Sequence, residues 1–174
     1  MEQAAITDRV QARFGDAILA QGEFQGQYFV SIAPETLLEL ADFLKSDSEL
    51  SLDRLMDVTA VDMIEHPMEL EHRFEVVYQF MSYDLNHRFR VKVQVPDENL
   101  EVPSLWDRWG VANWMEREVF DLFGITFSGH PNLKRIMCHH DFVGHALRKD
   151  YPIRKRQQLS RPIEMILTEK QEWA

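Results

Sequence analysis

The sequence predicts an α+β domain, with helices packed on a mainly antiparallel sheet and an extended tail at the C-terminal end. Three observations carry this. Residues 72–82 and 87–95 are two runs of β-formers about the turn Tyr83-Asp84-Leu85-Asn86. In the second run Phe89, Val91, Val93 and Val95 alternate with Arg88, Arg90, Lys92 and Gln94, a period of two that buries one face. The other face is wet or pairs with acids such as Glu75 on the preceding strand. Second, residues 3–14, ended by Gly15, and the run holding Leu37, Leu40, Ala41 and Leu44 keep helical spacing. Third, periodicity stops after Tyr151, where prolines and basic residues replace it.

The remaining elements follow in order. Residues 17–20 and 27–32 are expected to be strands across a turn holding Gly22 and Gly26. Pro34 opens the second helix, since its missing N–H costs nothing in a first turn, and the polar cluster from Lys45 to Glu49 ends it. Residues 55–64 read as a strand with Met56, Val58 and Ala60 on one face and Asp57, Thr59 and Val61 on the other. Pro96 ends the 87–95 strand and residues 97–101 form a surface loop. Residues 102–109 look like a short helix that turns Trp106 and Trp109 to the core. No repeat or flexible linker divides the chain, so residues 1–150 are expected to be one globular domain and 151–174 an extended basic tail.

Composition narrows the function. With 174 residues and 45% hydrophobic content, one domain with a real core is the natural expectation. No run is long and apolar enough to span a membrane, and the first residues lack the pattern of a secretory signal. One cysteine, Cys138, excludes an internal disulfide and fits a reducing compartment. It also excludes an iron–sulfur cluster held by this chain alone, since such clusters take about four thiolates. The net charge of −10 is uneven: residues 130–174 carry nine Lys and Arg against five Asp and Glu. The acidic body disfavours nucleic acid. The basic end fits either a charged partner or a solvated terminus.

The stretch 113–152 organises the chain. Asn113 and Glu116 have the spacing of a capping box, and Gly124 stands where a left-handed residue ends a helix. Met115, Val119, Phe120, Leu122 and Phe123 form an apolar arc, with Arg117 and Asp121 pairing four apart opposite it. Glu116 falls inside the arc, where a carboxylate needs a cation. Arg135, Arg148 or a residue of another chain are the candidates. Such a carboxylate is either a structural partner or an acid tuned by burial, and no second acid or nucleophile stands at a spacing that demands chemistry.

The run Glu116-Arg117-Glu118-x-Phe120-Asp121-Leu122-Phe123-Gly124-Ile125 is followed by Gly129-His130-Pro131-x-Leu133-x-Arg135-Ile136. It closes on Gly144-His145-x-Leu147-Arg148-Lys149-Asp150-Tyr151-Pro152. Together these closely resemble the C-subunit family of proton-pumping NADH:quinone oxidoreductase (respiratory complex I, NDH-1), the relatives of its mitochondrial thirty-kilodalton subunit. Ala146 departs from the pattern, standing where the family usually has proline. The resemblance implies a structural subunit of the peripheral arm, with no active site or cofactor of its own. Electrons would pass from NADH through FMN and iron–sulfur clusters on other subunits to a quinone bound mainly between the B and D subunits. The implied partners are the D subunit first, along which the tail would lie, then the B subunit and the rest of the arm, at the cytoplasmic face of the inner membrane. Similar subunits serve membrane-bound hydrogenases and other electron-input complexes, so the donor stays open.

The structural and interface residues assigned on this basis are Glu116, Arg117, Glu118, Asp121, Gly124, His130, Pro131, Arg135, Arg148, Lys149 and Asp150, with no catalytic, cofactor or metal residue. Arg148 offers a planar fork suited to an interface anchor, or is a surface charge beside Asp150. His130, with Gly129 and Pro131, suits a tight turn in which the ring bonds backbone or carboxylate. A competing metalloprotein reading rests on His130, His139, His140 and His145 with Cys138, all within sixteen residues. The spacing speaks against it, since His139 and His140 point apart in regular structure and no paired motif accompanies them.

Overall fold

A computed structural model of the chain describes residues 3–64 and 72–157. The elements are α1 (Gln3–Phe14), β1 (Ile18–Phe24), β2 (Gln27–Ile32), α2 (Leu37–Ser46), β3 (Arg54–Asp62), β4 (Phe74–Ser82), β5 (His87–Val95), β6 (Glu101–Pro103), α3 (Ala112–Phe123) and β7 (Thr126–Ser128). Five strands form one sheet in the order β1-β2-β5-β4-β3, antiparallel except where β2 lies parallel to β5. β6 and β7 make a separate parallel pair. This is the α+β architecture the sequence predicts.

The period of two in β5 works as expected. Phe89, Val91, Val93 and Val95 are buried, and Lys92 on the opposite face meets Glu75 at 3.0 Å. α1 packs on β2 and β5, α3 lies along β3, and Leu37, Leu40, Ala41 and Leu44 of α2 join the same core cluster. Each buried aliphatic side chain of this kind contributes about 1.5–3 kcal/mol. Pro34 opens a single turn of 3-10 helix, residues Pro34–Thr36, that leads into α2.

Three local expectations need correction. Gly22 lies within β1 and not in the turn, which Gln25 and Gly26 make. It sits opposite Phe29, whose ring would be 2.9 Å from any added Cβ, so close cross-strand approach explains the glycine. In β3 a bulge between Leu55 and Asp57 shifts the alternation and puts Met56 on the exposed side. Residues 102–109 are not a helix: β6 pairs with β7, and turns follow. Trp109 is core, donating to Asp53 O at 2.9 Å, whereas Trp106 is 40% exposed and donates to Gly129 O. Five apolar residues of the tail could anchor it on another protein, or belong to a solvated end: of these Ile153 is fully exposed, and Ile163, Ile166, Leu167 and Trp173 lie outside the described residues.

Candidate functional site

The motif stretch builds a lid over the C-terminal end of α3. Gly124 terminates the helix at φ 77°, ψ 21°, in the left-handed region predicted for it, and its N–H donates to Phe120 O. A helix leaves its last carbonyls without internal partners. Here three consecutive ones are met from residues 145–148: His145 Nδ1–H donates to Asp121 O at 3.0 Å, Leu147 N–H to Leu122 O at 3.0 Å, and Arg148 Nε–H to Phe123 O. The cationic Arg148 also complements the negative end of the helix dipole. Burial, followed by the charges of Arg148 and Arg135, holds the His145 pKa below its usual value, which keeps the ring neutral and donating. Gly144-His145-x-Leu147-Arg148 and Gly124 therefore belong to one piece of geometry.

A second clamp holds the segment between. Asp121 is fully buried, and its Oδ1 meets Arg135 Nη1 at 2.6 Å. Its Oδ2 accepts the successive N–H groups of Ile136, Met137 and Cys138 at 2.9, 2.7 and 2.8 Å. Burial opposes the charged form, but the N–H of Cys138, the Arg135 guanidinium and the other two N–H groups outweigh it and hold the pKa below the ordinary value. Arg135 continues to Gly144 O at 2.9 Å, tying the helix to the lid. The expected pairing of Arg117 with Asp121 does not form. Asp121 faces inward, and Arg117 instead donates to Lys134 O and stacks on the Trp114 ring.

The far end of the lid is fixed to β3 and β4. Asp62, buried at the end of β3, accepts Arg73 on both oxygens and the Lys149 N–H at 2.9 Å. Burial works against its charge, yet Arg73 and the backbone donors bring the pKa down to about 2. Arg73 bridges onward to Asp150 at 3.0 Å. The Phe74 ring takes guanidinium groups from both Arg73 and Arg148, 4.7 and 5.2 Å from its centroid. Asp62, Arg73 and Phe74 were missed from sequence, because they lie outside the motif and nothing in their spacing announces the contact.

Glu116 has no cation at all among the described residues. It is fully buried, Arg135 goes to Asp121, and Arg148 goes to Phe123 O. The carboxylate accepts the Ser104 hydroxyl and, at 2.7 Å, the Leu105 N–H. The capping box is absent too, since Glu116 points across to the loop after β6 and no side chain caps the start of α3. Burial is the dominant influence and lifts its pKa to about 7. Ser104 and Leu105, which no pattern in the chain singles out, replace the expected ion pair.

The other assigned residues divide between inside and outside. The His130 ring donates through Nε2 to Asn113 O at 3.0 Å and accepts Asn132 N–H on Nδ1, joining the 129–132 turn to the start of α3. Glu118, Pro131, Lys149 and Asp150 are exposed, though the Lys149 backbone and the Asp150 carboxylate serve the Asp62 and Arg73 network. Large apolar side chains also face outward along this stretch: Met137, Val143 and Leu147 are each more than half exposed and Ile153 fully so. His139 and His140 do not point apart. Their ring centroids are 4.1 Å apart, on a turn outside regular structure.

The chain matches the family described as respiratory-chain NADH dehydrogenase, 30 Kd subunit, over residues 30–157. It belongs to that family. Proteins named as the C subunit of NADH-quinone oxidoreductase are similar over most of the chain: that of Roseiflexus castenholzii is 42% identical over 153 residues, covering 88% of this chain and 86% of the relative. That of Ruegeria pomeroyi is 43% identical over 143 residues, covering 82% and 69%. Among solved structures, the trypsin-resistant fragment (1–134) of Nqo5 superposes with a TM-score of 0.66 at 31% identity, covering 76% of this chain and all of the fragment. The fold alone is shared with a chain of an archaeal membrane-bound sulfane sulfur reductase, at TM-score 0.71 and 16% identity. As a 30-kDa-type subunit, the chain is part of a respiratory NADH-quinone oxidoreductase, and no helix among the described residues is long and apolar enough to cross a membrane. Its matched region contains both clamps and the whole Gly124 lid.

Proposed function

We propose that this 30-kDa-type subunit acts as a cofactor-free structural member of the peripheral arm of a proton-translocating NADH:quinone oxidoreductase. It docks chiefly on the D subunit, with the B subunit and other arm subunits nearby, at the cytoplasmic face of the membrane. FMN and the iron–sulfur clusters belong to those neighbours, and no bond-making step falls to this chain. One observation carries the reading: Asp121, Arg135, Arg148 and Asp150 of the motif are tied to other charged side chains or to backbone, while Met137, Val143, Leu147 and Ile153 face outward. An arrangement of that kind stiffens a surface and leaves it apolar, which suits docking. The exposed Arg154, Lys155 and Arg156 continue the same surface with positive charge. Cys138 is a poor cluster ligand in this setting, because burial and the neighbouring Asp121 carboxylate raise the pKa of its thiol. Reacting centres elsewhere in the complex need a rigid surround, and holding neighbours in register is a sufficient task.

Truncation before Tyr151 tests this. The solved structure of the relative Nqo5 is that of a trypsin-resistant fragment, residues 1–134, which supports a body that folds alone. The truncated chain is expected to melt cooperatively and to fail to co-purify with the other subunits. Normal assembly would overturn the docking role. NADH or quinone turnover by the purified full chain, free of other subunits, would overturn the non-catalytic one.

A further inference from the structure

The turn after the Asp121 clamp brings together the side chains of His139, His140 and Asp141, and within it the Asp141 N–H donates to His139 Nδ1 at 3.3 Å. His139, His140 and Asp141 offer donor atoms that all lie within 4.8 Å of one another. His140 Nε2 is 3.0 Å from Asp141 Oδ1, and His139 Nδ1 is 3.9 Å from Asp141 Oδ2. Donors around one tetrahedral ion at about 2.1 Å stand roughly 3.4 Å apart, so small side-chain rotations close the set. The backbone beneath is already fixed on both sides. Upstream, three successive N–H groups are held by Asp121, and downstream Phe142 N–H donates to His139 O at 2.9 Å while the Phe142 ring packs on Tyr151. Donors on a rigid frame lose less entropy on binding.

We propose that His139, His140 and Asp141 form a site for one divalent transition-metal ion of the zinc, nickel and copper class. Two imidazoles and one carboxylate select such borderline cations over magnesium or calcium, which prefer oxygen. The imidazole of His140 is largely exposed, so water or a group from a neighbouring chain completes the coordination. The site is distinct from the wider histidine cluster. The His130 and His145 rings are engaged with backbone, and the Cys138 thiol interacts with Asp121. It goes beyond the structural reading above and does not rest on it.

The test is titration of the untagged, chelator-treated full chain with zinc and, separately, magnesium, followed by calorimetry. One zinc per chain is expected, with no magnesium uptake. His140→Gln and Asp141→Asn, both at exposed positions, should each weaken zinc binding about tenfold or more, while His72→Gln leaves it unchanged. Copper(II) bound to the native chain should give the electron-resonance signature of two nitrogen ligands. Absence of stoichiometric zinc binding, or undiminished binding in the His140→Gln/Asp141→Asn double variant with native circular dichroism, overturns the proposal. So does equal weakening by His72→Gln.

Discussion

Gly124 and His145 approach so closely that no side chain fits between them: a Cβ on residue 124 would stand 2.5 Å from His145 Nε2 and 2.6 Å from Arg148 Nη2. The glycine thus answers two demands at once, a left-handed backbone and room for the lid. Gly124→Ala must accept a φ of 77°, which costs about 1–2 kcal/mol, and must also displace two side chains that close the helix end. A total loss above about 2 kcal/mol is expected. Denaturant unfolding checks it, and the midpoint should fall without a change in slope.

Asp121→Ala should be more damaging than an ordinary surface change. It leaves the Arg135 guanidinium, itself only 19% exposed, without its carboxylate and strips three N–H groups of their acceptor. Breaking one side of a buried pair costs about 3–5 kcal/mol. Hydrogen exchange should speed up at Ile136, Met137 and Cys138 before it does in the sheet. Unchanged protection there would show that Asp121 does not hold the segment.

These two sites differ in how legible they were. Gly124 was readable because a helix C-terminus needs a left-handed residue and glycine supplies it, a purely local demand. The β4–β5 pair was readable for the same reason, since its alternation is local. The partners of Glu116 and Asp121 were not. Spacing placed Glu116 on the buried face, but whether Arg135, Arg148 or a loop would meet it depends on how β6 and residues 144–150 fold back, which is a tertiary matter. The bulge at Met56 and the extended course of residues 101–105 failed as readings for a like reason, since pairing with β4 and β7 overrode the local pattern. Asp62 and Arg73, eleven residues apart and joined across the sheet edge, carried no pattern at all.

Asp62 gives an acid-side prediction. Its pKa is 3.8 in the unfolded chain and about 2 in the folded one. The lowered value means that the carboxylate contributes stability above about pH 4 and that this is lost as pH falls through about 2. The amount is about 2 kcal/mol. Asp62→Asn should lower stability by about that much at pH 7 and flatten its dependence between pH 4 and 2. Urea unfolding at several pH values measures both, and an unaltered slope would remove Asp62 from the network.

Glu116 titrates in the opposite sense. Burial lifts its pKa from 4.5 to about 7, with Ser104 and Leu105 only partly offsetting the cost of charge. An acid whose pKa is raised by folding is fully tolerated below the unfolded value, where both states are protonated. As pH rises from 4.5 through 7, the unfolded state releases its proton first, and stability falls by up to about 3 kcal/mol. Glu116→Gln keeps an oxygen for the Leu105 N–H and an amide for Ser104 while removing the titration. The variant should therefore be less sensitive to pH than the native chain between 5 and 8, and relatively more stable at pH 8. Because Asp62 and Asp121 titrate below their ordinary values, their contributions fall in a lower window and do not mask this one. Thermal melts at pH 5 and pH 8 decide the matter: if native and variant chains shift in parallel, Glu116 is not the group responsible.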